Sequence, residues 1–460
     1  MKVPQLWIYV ILRQYAFKFS GGILMKRLFF FALLTVLILG LISGCDRSPA
    51  PTVADEPMGP YQFKSGELEN YVIVYAQNNP DYADLANQLA DHIFEKYDIF
   101  LTTTPDTTSP SAQYKIFIDD TGRIMEYAVT VEDGKLMILT GGSFSAEQAI
   151  NHLCEQVFTG QDFALDIGEY YQTSFLTKSQ PITENTTARI MSANVLADAF
   201  ADSSYQNTYY RAEIFAGMLI SYTPDVLGLQ ETDENWNKVL DDYLTKIQNI
   251  YGITYARHLA TYQDKVNYTS LLYRTDRFKV DTDGVNVFNW WTDKVFNHNY
   301  HMRNISWAQF SSLDDPSKTM IVANTHWSYR TEHSGGNTFL AGSDTPIAVD
   351  ELRMQCQDET NTFMATLRQS HLETPVFLTG DFNTSLPFFT QSGWTPTGFK
   401  LISEEAVSSG KSLALVPASG HFDHIFGTGN YSIHLFSFIK DANHHELLTD
   451  HPFVYADLAF

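Results

Sequence analysis

The segment Thr374-Pro-Val-Phe-Leu-Thr-Gly-Asp-Phe-Asn-Thr384 combines an apolar run with a polar end. A short apolar run bounded by Pro and Gly predicts a buried strand. On an extended segment Asp381 and Asn383, two positions apart, point to the same face, so an acid and an amide can address one ligand. A Gly-Asp-x-Asn turn without a ligand is the alternative reading.

Other predicted strands also end on a polar side chain. They are Ala188–Val195 ending near Asn194, Pro224–Thr232 ending at Glu231, and Met320–Trp327 ending at His326. A carboxylate at the carboxyl end of a core strand is costly unless it is solvated, paired or bound to a cation, and its hard oxygens suit Mg²⁺. The alternative readings are that Asn194 is an ordinary turn residue and that Glu231 caps the next segment. Together these ends predict a site at one sheet edge.

Two Asp-His pairs lie near the C-terminus, at Asp423-His424 and Asp450-His451. A carboxylate that accepts a hydrogen bond from one imidazole nitrogen fixes the tautomer and raises the basicity of the ring. One such pair could be structural, but two beside the polar strand ends predict a catalytic histidine. For His444 and His445 we predict a solvated loop.

These motifs as a set resemble the endonuclease/exonuclease/phosphatase superfamily. The matching positions are Asn194, Gln230-Glu231, Asn324-Thr325-His326, Gly380-Asp381-Phe-Asn383, Asp423-His-Ile and Thr449-Asp450-His451. The resemblance implies an α/β fold class. It implies a four-layered α/β sandwich, two packed mixed sheets flanked by helices, over residues 186–460.

The resemblance also implies residue roles. Asn194 and Glu231 would position Mg²⁺, with Mn²⁺ as the alternative cofactor and Asp450 assisting. Arg303 would contact the substrate phosphate, although a surface ion pair is an alternative.

The remaining implied roles concern the reaction itself. Asp381 and Asn383 would orient the attacking water, and His326 would contact the phosphate. His451, oriented by Asp423, would act as the base or stabilise the pentavalent charge. The choice of base between Asp381 and His451 stays open at this stage.

Residues 61–180 alternate strand-like and helix-like patterns and predict a smaller α/β domain of unknown role. Predicted helices cover Asp81–Tyr97 and Ser145–Phe158. Between them, Gly141-Gly142 could hold an anion at a helix start, but a turn that requires positive φ is the favoured explanation. A polar stretch, Lys178–Thr187, separates this domain from the rest.

The first sixty residues predict export from the cytoplasm and attachment to a membrane. Residues 1–24 are interpreted as an upstream extension, with the start at Met25. Residues 25–44 read as a signal peptide with a basic, an apolar and a small-residue region. Leu41-Ile-Ser-Gly-Cys45 resembles a bacterial lipobox, so a lipid on Cys45 would hold the protein to the outer face of a membrane, and residues 45–60 would be a flexible tether. An uncleaved anchor is the alternative.

The cysteine count and the net charge limit the class of protein and of ligand. Only three cysteines are present, which excludes a disulfide scaffold. Residues 1–44 carry five basic and no acidic side chains, so their removal changes the net charge from −23 to −28. Such an acidic chain disfavours tight sequence-independent binding of nucleic acid.

The resulting prediction is a Mg²⁺-dependent hydrolase of phosphate esters at the extracytoplasmic face of a bacterial membrane. Its substrate would be a phospholipid head group, a small phosphoester or a nucleic acid, and no obligate protein partner is implied. A secreted nuclease is the runner-up, and a non-catalytic surface binding protein that retains the fold is the alternative of another class.

Overall fold

The computed structural model describes residues 62–460 with several internal gaps. The gaps are residues 109–113, 133–134, 167, 177–178, 199–200, 202, 259–260, 263–264, 267–268, 289–302, 328–337, 340–345, 348, 385–395, 397, 414–420 and 440–443. The predicted extension, signal peptide, lipidated Cys45 and tether lie outside the described residues. None of the helices in the described ranges combines the length and apolar character needed to cross a bilayer.

The N-terminal part forms a six-stranded sheet, called sheet A, of order β3-β2-β4-β6-β5-β8. Its strands and the adjoining short pair are β1 Phe63–Lys64, β2 Tyr71–Tyr75, β3 Thr103–Pro105, β4 Tyr114–Asp119, β5 Glu126–Glu132, β6 Lys135–Thr140, β7 Ala164–Leu165 and β8 Gly168–Ser174. Helices α1 (Asp81–Tyr97) and α2 (Ser143–Gln156) pack on this sheet. Strands β2, β3, β4 and β6 are parallel, whereas β5 runs opposite to its neighbours.

The rest of the chain forms two more six-stranded sheets. Sheet B has the order β11-β14-β10-β9-β24-β23, and sheet C the order β15-β16-β17-β20-β22-β21. The strands are β9 Ala188–Asn194, β10 Val226–Gln230, β11 Tyr255–His258, β12 Thr261–Tyr262, β13 Lys265–Val266, β14 Thr269–Arg274, β15 Phe278–Val287, β16 Asn304–Ser312, β17 Thr319–His326, β18 Thr338–Phe339, β19 Pro346–Ile347, β20 Val376–Asp381, β21 Lys400–Leu401, β22 Asp423–Thr428, β23 Ser432–Ile439 and β24 Phe453–Ala459. The helices are α3 Thr208–Tyr222, α4 Glu234–Tyr251, α5 Val349–Ser370 and α6 Ile402–Ser408.

Apolar side chains divide this part into four layers. Alternate residues of the strands point to opposite faces of a sheet, so each sheet can bury both faces. Ile190 of sheet B and Phe377 of sheet C belong to the core between the sheets. Leu229 packs toward α3 and α4 on the outer face of sheet B, and Leu378 belongs to the core that sheet C shares with α5. This is the predicted four-layered α/β sandwich.

The N-terminal part and the sandwich share a core. Met125 and Phe144 of the N-terminal part lie in the apolar cluster that contains α3 and α4. At the same junction the buried Glu213 of α3 accepts hydrogen bonds from the backbone N–H groups of Met125 (2.9 Å) and Ser145 (3.1 Å). Residues 60–460 form one compact unit. The predicted division into domains at 61–180 and 186–460 stays a prediction.

The turn at Gly141-Gly142 differs from its prediction. Gly142 has φ of 167°, which is extended backbone, so a positive φ is not the reason for glycine here. A Cβ on Gly141 would lie 2.2 Å from the carbonyl oxygen of Arg123, and one on Gly142 would lie 2.1 Å from Tyr243 Oη. Close packing therefore requires the glycines. The backbone N–H of Ser145 in the first turn of α2 donates to the carboxyl group of Glu213, and burial raises the pKa of that group.

Two cysteines and two histidines of the described residues differ in their burial. Cys154 and Cys356 are free thiols, and Cys356 is buried. The prediction of a solvated loop is wrong for His445, which is 2% exposed and packs its ring 4.6 Å from that of Phe453. His444 is part-exposed and packs on Phe144, 5.0 Å away.

Candidate active site

The ends of two parallel strand pairs, one in each sheet, meet at one edge of the sandwich. In sheet B Asn194 pairs with Gln230 in the last register position of β9 and β10, so Glu231 follows directly. In sheet C His326 pairs with Asp381 at the ends of β17 and β20. A hydrogen bond from Asn194 Nδ2 to Asp381 Oδ2 (3.0 Å) joins the two strand ends across the sheets. The predicted strand ends therefore converge.

Asp381 is the centre of the cluster. Its Oδ2 accepts hydrogen bonds from Asn194 Nδ2 (3.0 Å) and from Asn383 Nδ2 (3.5 Å), and it lies 3.3 Å from His326 Nε2. Burial alone would raise the pKa of Asp381, but the charge of His451 and the hydrogen bond from His326 outweigh it and lower the pKa. The carboxylate is therefore ionised at neutral pH.

Asn383 reaches Asp381 by a different route from the one predicted. The strand ends at Asp381, and Asn383 has φ of +48°, in the left-handed region, so the prediction of an extended segment is wrong here. The backbone N–H of Asn383 donates to Asp381 Oδ1 (2.8 Å), which folds the chain back on itself, as short polar side chains at turns commonly do. Its side chain also donates to the carbonyl oxygen of Trp327 (2.9 Å).

Glu231 lies just past β10 in a left-handed conformation with φ of +63°. Its Oε1 accepts a hydrogen bond from Asn194 Nδ2 (3.0 Å), and its Oε2 accepts one from the backbone N–H of Ala197 (3.0 Å). The side chain is buried, and Oε1 lies 3.9 Å from His326 Nε2. A non-glycine residue in this conformation is strained by about 1–3 kcal/mol, so the surroundings must hold it there.

The donor set fits a metal ion. Ligand atoms of Glu231, His326 and Asp381 lie within 4.8 Å of one another, and so do those of Asp381, Asp423 and His451. Glu231 and Asp381 are neighbouring carboxylates, and a bound cation offsets the repulsion between two such charges. Carboxylate oxygens suit hard divalent cations.

Asn194 presents its amide nitrogen to both carboxylates, while its Oδ1 accepts a hydrogen bond from the backbone N–H of Leu196 (2.9 Å). A metal ligand must offer an oxygen, so direct coordination requires the amide to rotate by a half-turn. The predicted metal role of Asn194 therefore stays a prediction. Its present contacts align Glu231 with Asp381.

His451 and Asp423 form the predicted pair. Nδ1 of His451 lies 2.7 Å from Asp423 Oδ2, and Nε2 faces Asp381 Oδ2 at 3.9 Å. Burial lowers the pKa of His451, but the carboxylates of Asp423 and Asp381 outweigh this and raise the pKa well above its usual value. Burial raises the pKa of Asp423, and the attraction to His451 partly offsets that rise. The pair therefore holds a proton at neutral pH.

His326 stays neutral beside this pair. Burial and then the charge of Arg303 lower the pKa of His326. Arg303 is itself buried, and its Nη1 donates to the carbonyl oxygen of His326 (3.3 Å). The guanidinium thus lies next to the site, and its predicted contact with a phosphate stays a prediction.

Asp450 lies at the border of the site. Its side chain is 59% exposed, and its Oδ1 is 3.9 Å from His451 Nε2. Among the described residues, Asp450 is absent from both groups of candidate metal ligands given above. The hydroxyl of Thr449, the residue before it, donates to the carbonyl oxygen of Asn194 (2.9 Å) and ties the two loops together.

Several residues support the site through hydrogen bonds. Gln230 Nε2 donates to Asn324 Oδ1 (2.6 Å), which links the strand ends of the two sheets. Arg211 donates to the carbonyl oxygens of Leu196 (2.6 Å) and Leu448 (3.3 Å) and so braces the loops that carry the site. Gln230 and Asn324 belong to motifs that were recognised in the sequence, whereas no sequence pattern marked Arg211.

The part of the chain that carries this site matches a known protein family. A model of the endonuclease/exonuclease/phosphatase family matches residues 191–451, more than half of the chain. No curated protein sequence matches the chain.

Solved structures with a similar fold exist. An endonuclease/exonuclease/phosphatase from Bacteroides vulgatus is 20% identical, with a TM-score of 0.44, and covers 59% of this chain and 98% of its own. A mannosyl-6-phosphatase from Bacteroides thetaiotaomicron is 17% identical, with a TM-score of 0.42, over 59% of this chain and 100% of its own. The human Nocturnin catalytic domain is 13% identical, with a TM-score of 0.43, over 61% of this chain and 96% of its own.

The family model spans the residues that converge at this edge, from the strand that ends at Asn194 to His451. The enzymes of this family hydrolyse phosphoesters and depend on a metal ion, and the buried carboxylates and histidines supply a donor set for one. The chain is therefore a phosphoester hydrolase and belongs to the endonuclease/exonuclease/phosphatase family.

Proposed function

We propose that this chain is a Mg²⁺-dependent hydrolase of small phosphate esters that acts outside the cytoplasm and is held to a membrane by a lipid on Cys45. The observation that carries the hydrolytic part is the convergence on Asp381 Oδ2. Asn194 and Asn383 donate to this oxygen, and His326 and His451 face it at 3.3 and 3.9 Å.

Mg²⁺ is the proposed metal because two carboxylates, Glu231 and Asp381, supply hard oxygens within reach of each other. Glu231 and Asp381 would hold the ion, with Asn194 aligning them. When bound, the ion neutralises charge on the phosphate oxygens in the transition state.

The residues around Asp381 define the other roles. Asp381 and Asn383 orient the attacking water, because the carboxylate is ionised and the amide lies 3.5 Å from it. His451 presents Nε2 across a gap of 3.9 Å, which is too long for a direct hydrogen bond and leaves room for a reacting oxygen. Asp423 holds the proton at Nδ1, so the ring faces the phosphate as a cation and stabilises its developing charge. His326 contributes a neutral imidazole beside it.

A small ester is favoured over a long polyanion because the chain is strongly acidic, with a formal net charge of −23. A duplex would bring many phosphates near that surface, whereas a small ester brings one group to the site.

The test is turnover by the intact chain on glucose 6-phosphate, an aryl phosphodiester, glycerophosphocholine and plasmid DNA. Each is assayed with Mg²⁺, with Mn²⁺ and with a chelator. We expect Mg²⁺-dependent release of product from one of the three small esters, abolished by the chelator. Faster cleavage of plasmid than of all three would replace this proposal with a nuclease.

Glu231→Gln and its matched control Glu234→Gln separate a metal role from a general effect of charge. Glu234 is exposed in the first turn of α4, three residues from Glu231. We expect Mg²⁺ binding, measured by calorimetry, to be lost in Glu231→Gln and kept in the control. Equal binding in both variants would remove Glu231 from the metal site.

The location is supported by Leu41-Ile-Ser-Gly-Cys45, which resembles a lipobox. The test is fractionation of cells that express the chain or its Cys45→Ser variant, with labelled palmitate as the reporter. We expect label and membrane association in the parent and neither in the variant. Equal membrane association of both would contradict lipid anchoring through Cys45.

A further inference from the structure

A crevice of about 540 Å³ lies where sheet A meets α4, away from the catalytic edge. It is lined from sheet A by Asn78, Asp120 and Thr121 and from α4 by Asp242, Lys246 and Asn249. This volume is within the range of roughly 300–1,000 Å³ that small-molecule sites occupy.

The crevice opens at the point of sheet A where the order of the strands reverses. The chain leaves β2 toward β3 on one side, and it leaves β4 toward β6 on the other. The direction of winding therefore reverses between two adjacent parallel strands. In open α/β sheets ligands bind in the crevice outside the carboxyl ends of strands at such a reversal. Asn78 follows β2 and Asp120 follows β4 at this point.

Polar contacts, buried at Asn79 and exposed at Asn78, join the residues at the floor of the crevice. Asn79, which is 5% exposed, donates to Ser143 Oγ (2.9 Å), and Asn78 donates to Asp120 Oδ2 (2.9 Å). Below them Tyr82 Oη and Thr140 Oγ1 are 2.6 Å apart. These groups are already positioned and lose little freedom when a ligand arrives.

The charges exclude a phosphate as the ligand. Lys246, the cation among the described lining residues, is paired with Asp120 and donates to the carbonyl oxygen of Gly141 (2.7 Å). Asp242 adds a second carboxylate. The start of α2, which could attract an anion, is already capped by Glu213. An anionic ligand would therefore meet net negative charge.

We propose that this crevice binds a small neutral sugar. Amide and carboxylate groups of Asn78, Asp120, Asp242 and Asn249 offer donors and acceptors that suit neighbouring hydroxyl groups, and a mutual hydrogen bond already positions Asn78 and Asp120. The part-exposed ring of Tyr209 and the exposed side chain of Ile250 also line the crevice and supply the apolar surface that the C–H face of a sugar requires. This site is independent of the proposed hydrolytic reaction.

The test is saturation-transfer NMR on the intact chain with maltose, cellobiose, lactose and mannobiose as probes. Inorganic phosphate and CaCl₂ serve as competitors. We expect transfer to the ring protons of at least one disaccharide that neither competitor removes. Asn249→Trp, which fills the crevice, abolishes the signal, and Asp242→Asn raises the dissociation constant about tenfold because a hydrogen bond to a charged group is lost.

The matched controls are Asp91→Asn, an equal charge change on the exposed face of α1, and Glu231→Gln at the catalytic edge. Both keep the signal, which distinguishes this crevice from the hydrolytic site. Thr121→Trp replaces Asn249→Trp if that variant does not fold. The proposal is overturned if no disaccharide gives transfer, if a folded Trp variant keeps it, or if phosphate or calcium alone removes it.

Discussion

The chain presents two sheet edges at which parallel strands end in polar residues, and the two edges differ in their chemistry. At the catalytic edge Glu231, His326 and Asp381 lie together as buried acids and imidazole. At the edge of sheet A the strand ends carry Asn78 and Asp120, and a lysine of α4 pairs with the acid. The topology of parallel strands places a polar site at each edge. The types of the residues and their ion pairing determine whether the site suits hydrolysis or ligand binding.

The largest effect is expected from substitutions at the catalytic edge. His451→Gln keeps a hydrogen-bond donor toward Asp423 but removes the cation that is proposed to face the phosphate. We expect kcat/KM to fall by about 10³- to 10⁴-fold with little change in the thermal transition. Asn78→Ala at the edge of sheet A is the control, with kcat/KM within about twofold of the parent. An equal loss in both variants would break the distinction between the edges.

Asp423→Asn tests the charge of His451. The carboxylates raise the pKa of His451, so the ring is charged below that raised pKa and loses its charge as pH rises through it. Without Asp423 the pKa falls, and we expect about 10²-fold lower kcat with the alkaline loss of activity shifted to lower pH. The measurement is a pH profile of kcat for parent and variant. An alkaline limb at the same pH in both would contradict the assigned charge.

Glu213→Ala tests the junction between the N-terminal part and the sandwich. The substitution leaves the buried N–H groups of Met125 and Ser145 without an acceptor. We expect the free energy of unfolding in denaturant to fall by about 2–4 kcal/mol. The exposed Glu234→Ala should change it by less than about 0.5 kcal/mol. A similarly small change for Glu213→Ala would show that the junction contributes little.

Lys246→Met has the smallest expected effect. Its ion pair with Asp120 is part-exposed, with 18% of each side chain accessible, so solvent screens the interaction. We expect a loss of about 1 kcal/mol in the free energy of unfolding and unchanged kcat/KM. Asp91→Asn is again the control. A loss of catalysis in Lys246→Met would mean that the junction controls the catalytic edge.

The sequence predicted the catalytic edge because polar residues at the ends of apolar strands are a local signal. Asn194, Glu231, His326 and Asp381 each follow such a strand, and the parallel registers bring them together. The four layers were implied by the resemblance to the family and not by the strand pattern. The resemblance to the family then assigned the order of the motifs, which a strand pattern alone does not give.

The sequence did not predict features that depend on distant contacts or on the sign of φ. The left-handed backbone of Asn383 and the carboxylate that Glu213 places at α2 arise from tertiary packing. Burial of His445 and of His421, which is 1% exposed, has the same origin. No local pattern distinguishes these histidines from surface ones.

The left-handed backbone of Glu231 has a consequence for selection and for protein engineering. A glycine would adopt φ of +63° without strain and would also remove a carboxylate beside Asp381, whereas the proposed metal site requires the glutamate. Screens for thermostability alone should therefore favour replacements at this position that inactivate the enzyme. Stabilisation of this protein should start in sheet A and leave the catalytic edge unchanged.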